Sequence, residues 1–330
     1  ALYFTIISTV SIYIIVLILN FFSVFSPDVL VKWLIPLGLF PIISNSVFMV
    51  FVSYFQATKK IKLLSNLTIS NKLLSIIAII ILTYWLGIKG YYIAFNLSFL
   101  FMLFVCFKII GTDITQNLFS FKKLPQFKLH WRYAKTSMFA YLMSEMSAYV
   151  DIILLTVFIT DMHQIGYYSF ALTLTVLIKL FPSTVQQITI PYFSSLANQK
   201  TEFQVVFKRY NKILYMVVFT TFIGLVIISP YFINLIFHGK YDESMKIFPY
   251  LALGWSLRQL GQLQNGAVFG LGKIHYNVYQ SAITVIFNII TISLLLYYFG
   301  VIGAAYASIL GGIVFSLTSS YFYRKAQSEM

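Results

Sequence analysis

Five ionisable residues fall inside long apolar runs of this 330-residue chain: Lys72, Glu145, Asp151, Lys179 and Arg258. An ion at the middle of a bilayer costs about 2.5 to 3.5 kcal/mol on insertion scales, so such groups persist where they pair, line water or meet a ligand. Their chemistry is charge pairing. A guanidinium offers a planar fork of donors to phosphate or carboxylate, an ammonium a point charge, and a carboxylate a counter-ion, proton acceptor or cation ligand. Spacing gives three of them neighbours. Arg258, Gln262 and Asn265 follow i, i+4, i+7 beside Gly254 and Gly261, and Lys179, Ser183, Gln186 and Gln187 do the same beside Pro182. Ala140, Ser144, Ser147 and Asp151 share a third face. Glu145, six residues from Asp151, lies about 240° round the helix, so the two acids cannot share a face. Nothing points to a metal or cofactor: His130, His163, His238 and His275 sit in separate loops without a Cys or carboxylate at ligand spacing. Gly270-Leu271-Gly272-Lys273 lacks the spacing of a phosphate-binding loop.

The elements that carry these residues follow from composition. Hydrophobic residues make up 59% of the chain and charged ones 10%, against about 45 to 50% and about 25% in soluble domains. Apolar runs predict ten transmembrane helices, at roughly 1–25, 29–55, 63–86, 90–110, 136–159, 163–190, 213–237, 247–270, 274–299 and 302–323. Residues 200–214 alternate Lys200, Lys208, Arg209 and Lys212 with Phe203, Phe207 and Tyr210, the pattern of an interfacial amphipathic helix, or of a simple elbow that anchors the helix at 213–237 on anionic lipid, the reading we prefer. Of the 23 Lys and Arg, sixteen fall on one side of the predicted membrane and Lys32, Lys89, Lys240 and Lys246 on the other. The positive-inside bias makes the first side, and the carboxyl terminus, cytoplasmic. It also accounts for the net charge of +14 without nucleic acid. Cys106, the single cysteine, lies in an apolar run and allows no intrachain disulfide.

Shifted by 213 residues, Leu82–Ala94 falls without gaps on Leu295–Ala307, pairing Tyr84 with Tyr297, Gly87 with Gly300 and Gly90 with Gly303, and Lys60 falls on Lys273. An offset of six helices preserves direction, so the repeat is parallel. The expected fold is an all-α integral membrane protein of two six-helix bundles: residues 1–110, a cytoplasmic linker at 111–135, and 136–330. The first bundle lacks its first two helices, so about 80 residues are expected before Ala1 of the intact protein.

A rise of 1.5 Å per residue places Lys72, Glu145 and Arg258 near the midplane, at about 14, 14 and 16 Å from their helix ends. Polar stripes on three helices then describe a hydrated cleft lined by Arg258, Gln262, Asn265, Asp151, Ser147, Lys179 and Gln186, with Lys72 and Glu145 as further members or as interhelical glue. Asn45 is the repeat partner of Arg258, so the two halves present different groups, suited to an asymmetric substrate.

Tyr149-Val150-Asp151-Ile152-Ile153-Leu154-Leu155, followed by Ile165-Gly166-Tyr167-Tyr168-Ser169-Phe170-Ala171, then Ile190-Pro191-Tyr192-Phe193-Ser194-Ser195-Leu196 and Gly300-Val301-Ile302-Gly303-Ala304-Ala305, resembles the Wzx-type polysaccharide flippases of the multidrug/oligosaccharidyl-lipid/polysaccharide exporter superfamily. The resemblance implies two bundles around a cavity that opens to each side in turn. It implies a lipid-pyrophosphate-linked oligosaccharide as substrate, membrane lipids as surroundings, glycosyltransferases or a glycan polymerase as pathway partners, and the bacterial inner membrane as location. It implies no catalysis. Two alternatives stand beside it: a cation-coupled drug or metabolite antiporter of the same superfamily, and a membrane glycan polymerase or ligase, which needs larger outer loops than these.

Overall fold

The structure, a computed structural model, describes residues 2–24, 28–110 and 127–330. Four helices, α1 (Leu2–Phe21), α2 (Val29–Ala57), α3 (Ile61–Leu86) and α4 (Ile88–Ile110), belong to a compact unit of residues 1–125. Seven more, α5 (Phe127–Phe158), α6 (Met162–Ser195), α7 (Lys200–Phe237), α8 (Asp242–Leu260), α9 (Gln262–Gly270), α10 (Ile274–Phe299) and α11 (Val301–Ser328), belong to a second unit of residues 126–330. Among the described residues eight helices are long and apolar enough to cross a membrane. α1, and α8 with α9 as one interrupted span, account for the other two runs read from the sequence.

The 213-residue repeat is written into the backbone. α2 and α3 map onto α8–α9 and α10 residue for residue, and α4 and α11 start in register. Gly87 and Gly300 end their helices at φ 60°, ψ −142° and φ 62°, ψ −147°, a conformation only glycine adopts readily. Gly90 and Gly303 each press against the carbonyl eight residues back, where a Cβ would stand 1.9 Å from Leu82 O and 2.0 Å from Leu295 O. Pro36 of α2 matches Pro249 of α8. The packing repeats as well: α2 lies on α1 and α4, α8 on α7 and α11, and α3 on α4 as α10 on α11.

Two proline-freed carbonyls in α2 are capped from neighbouring helices. Pro36 cannot donate to Lys32, whose carbonyl takes Asn20 Nδ2 at 2.9 Å, and Pro41 leaves Leu37, whose carbonyl takes Asn96 Nδ2 at 2.9 Å. Within hydrocarbon an unmet carbonyl has no water to turn to, so these amides let a double-proline helix persist.

Three elements differ from the sequence expectation. Residues 127–135, read as the end of the linker, begin α5, while 111–126 lie outside the described residues. α7 runs unbroken from Lys200, so the amphipathic stretch is no separate interfacial helix: Phe203 and Phe207 are buried with Phe193 and Tyr323, because the apolar stripe finds protein rather than lipid. The span read as one helix at 247–270 is interrupted at Gly261, whose N–H reaches back three residues to Arg258 rather than four. Its repeat partner, Phe48, lies within the continuous α2.

Candidate functional site

Gly254 on α8 and Gly312 on α11 let two backbones touch: a Cβ on Gly312 would stand 2.2 Å from the Gly254 carbonyl, and one on Gly254 2.4 Å from Ser308 Oγ. Small residues at a crossing give this close approach. One turn further along α8, Arg258 is 9% exposed. Its Nη1 donates to Ser147 Oγ at 3.0 Å and to the Ser147 carbonyl at 3.5 Å, and its Nη2 to the Ser144 carbonyl at 3.4 Å. The guanidinium carbon lies 4.5 Å from the Phe315 ring centre and 5.4 Å from that of Trp255. All these partners are neutral. The ion pairs Lys246–Glu243 and Lys273–Glu329 lie elsewhere.

Asp151, one turn along α5 from Ser147, is also buried. Tyr168 of α6 donates its hydroxyl to Asp151 Oδ2 at 2.7 Å, and the Ile152 N–H donates to Oδ1 at 2.9 Å. Asn288 of α10 completes the ring: its Nδ2 donates to the Ser147 carbonyl at 3.1 Å and to Ser147 Oγ at 3.2 Å, while its buried Oδ1 has no hydrogen-bond partner among the described residues. Together Ser147, Asp151, Trp255, Arg258, Asn288 and Ser308 line a partly open cavity of about 30 Å³, which exceeds the room a water molecule needs. The second unit therefore holds a guanidinium and a carboxylate on one cavity wall, each bonded to neutral groups and not to the other.

The remaining stripe residues fan out. The turn at Gly261 resets the helical phase, so Gln262 and Asn265 do not continue the face of Arg258. Gln262 Nε2 donates to Gln186 Oε1 on α6 at 2.6 Å, and Asn265 Nδ2 donates to Gln280 Oε1 on α10 at 3.5 Å. Lys179 is half-buried on α6, with Nζ 4.1 Å from the Trp255 ring centre and 5.7 Å from that of Tyr149. Glu145 is half-buried on α5, on a different face from Asp151 and one turn from Tyr141. In the first unit Asn45 is half-buried on α2 and Lys72 exposed on α3. Among the described residues no three His, Cys, Asp or Glu side chains cluster as metal ligands.

Sequence reasoning did not single out Tyr168, Asn288 or Trp255. For Asn288 a signal existed: Asn277, Ser281, Thr284, Asn288 and Thr291 recur at three- and four-residue steps along α10. Tyr168 and Trp255 carry no such mark, since each is one aromatic among many.

No curated protein sequence matches the chain. Solved structures do. The Vibrio cholerae MATE transporter VcmN in its bent form superposes with a TM-score of 0.75 at 14% identity, over 99% of this chain and 78% of that one. An outward-facing multidrug resistance MATE family transporter of the MOP superfamily gives 0.83 at 13%, over 99% and 77%. A MATE protein in the straight conformation gives 0.80 at 16%, over 99% and 77%. At these identities the likeness is one of fold, in agreement with the paired bundles read from the repeat. A profile of polysaccharide biosynthesis proteins matches residues 1–246, and this multi-pass membrane protein belongs to that family.

Proposed function

We propose that the protein is an alternating-access flippase that carries a lipid-pyrophosphate-linked oligosaccharide from the cytoplasmic to the outer leaflet of the bacterial inner membrane for surface polysaccharide synthesis. The carboxyl terminus lies in the cytoplasm, and the pathway's glycosyltransferases and polymerase are its partners. Arg258 is the observation that carries this reading. A guanidinium buried in a membrane span, bonded to neutral oxygens and with no carboxylate at pairing distance among the described residues, keeps its attraction for an anion. A pyrophosphate is the anion that a polysaccharide-pathway lipid presents. Asp151, held by Tyr168, balances the cavity when no substrate is present.

The buried Asp151 carboxylate favours a second reading, a cation-coupled antiporter, and the two differ in which molecule moves. The test is complementation of a strain deleted for this gene. Arg258→Ala is expected to abolish surface glycan at unchanged membrane abundance, and Arg258→Lys to retain part of it. Normal surface glycan from an abundant Arg258→Ala protein would remove the guanidinium from the transport step.

A further inference from the structure

α5 and α6 barely touch along their length; each packs instead on a third helix, α5 on α10 and α6 on α8. Lys179 of α6 lies between the ring of Tyr149 on α5 and that of Trp255 on α8. Glu145 stands one turn before Tyr149 on α5 and is half-buried. Gln186, about two turns beyond Lys179 on α6, joins Gln262 of α9 through their amides. Tyr141, Glu145 and Tyr149 stand at i, i+4, i+8, one ladder on α5 about 12 Å long. The rings are not packed away: Tyr141 is 67% exposed and Tyr149 48%.

A lipid-facing surface would not look like this. Exposed aromatics alone are ordinary at hydrocarbon depth, but a half-buried ammonium, carboxylate and amide pair on α5, α6 and α9 are not, because each loses hydration there. Water or a polar ligand must meet them. Flat rings spaced by short-range donors and acceptors are the recognition chemistry of a carbohydrate. The C–H face of a pyranose is apolar and stacks on an aromatic ring, while its hydroxyls need both donors and acceptors at the edges. Glu145 accepts, Lys179 donates, and Gln186 and Gln262 do both.

Building on the flippase reading, we propose that Tyr141, Glu145 and Tyr149, with Lys179 and the Gln186–Gln262 pair, form a glycan track in the second unit, distinct in chemistry from the Arg258 cavity. The track reads the sugars and Arg258 the pyrophosphate. Its ladder is longer than one sugar ring, so its contribution grows with the length of the glycan.

The experiment uses the full chain in nanodiscs and two probes. One is the lipid-linked oligosaccharide that accumulates in the deletion strain; the other is the same lipid pyrophosphate trimmed to its first sugar. The Tyr141→Ala/Tyr149→Ala double variant is expected to bind the full glycan about tenfold more weakly and the trimmed lipid as the native protein does, which also reports that it is folded. The Tyr141→Phe/Tyr149→Phe double variant, which keeps both rings, is expected to bind both probes normally. Equal affinity of the alanine variant and the native protein for the full glycan would overturn the track, as would equal loss on both probes, and either leaves the flippase reading standing. A native protein that binds neither probe would overturn both.

Discussion

Tyr168 and Asn288 show how single polar groups hold the cavity in shape. A carboxylate out of water needs donors, and Asp151 takes one from the Tyr168 hydroxyl and one from the Ile152 N–H. Tyr168→Phe keeps the ring and removes only the hydroxyl. It is expected to cost about 1.5 to 3 kcal/mol, the range for a hydrogen bond to a charged group, read as a lower melting temperature in detergent. A variant as stable as the native protein would mean that Asp151 finds another donor. Asp151 and Arg258 were legible in the sequence because charge in an apolar run is rare. Their partners were less so: a tyrosine hydroxyl in a chain with 24 tyrosines announces nothing, although the Asn288 stripe was there to be read at helical spacing.

At the scale of the helix, glycines and prolines decide where backbones meet and bend. Gly312→Val sets a branched side chain where even a Cβ would stand 2.2 Å from the Gly254 carbonyl, and overpacking of this kind costs about 1 to 3 kcal/mol or more. The expected result is loss of folded protein, measured as monodisperse yield after extraction. Asn96→Ala should leave the Leu37 carbonyl unmet, at a cost of about 1 to 3 kcal/mol. The same change in a Pro41→Ala background should cost less, since replacing the proline restores the missing backbone N–H; equal costs in both backgrounds would refute the capping role. The 213-residue offset could be read from the sequence because Gly87 and Gly300 hold a backbone that other residues avoid. The break at Gly261 and the unbroken run of α7 could not, because both depend on partners across the bundle: Phe315 and Ser319 against Gly261, Phe193 and Tyr323 against Phe203 and Phe207.

For the molecule as a whole, membrane residence and paired bundles follow from composition, charge bias and repeat, whereas the identity of the cargo lies in side chains that meet only after folding. One contact ties the two ends of the α10–α11 pair: Lys273 Nζ donates to Glu329 Oε2 at 2.8 Å, and the Tyr276 hydroxyl to Glu329 Oε1. Lys273 first, then Tyr276, holds the Glu329 carboxyl below its ordinary value. A lowered carboxylate adds stability above the unfolded-state range, near pH 4.3, and loses it as pH falls through the folded value. Glu329→Gln should therefore lower the melting temperature at neutral pH, with the gap from the native protein closing on acidification; a gap independent of pH would show that the carboxylate charge is not what ties the ends.

The most direct measurement is transport by the purified full chain in proteoliposomes, loaded on one leaflet with the lipid-linked oligosaccharide and, in parallel, enclosing a lipophilic organic cation. The native protein is expected to move the glycan lipid and not the cation, and Arg258→Ala to slow that movement about a hundredfold, as losing one buried charge partner would. Expulsion of the cation with the glycan lipid left in place, or Arg258→Ala moving the lipid at the native rate, would contradict the account.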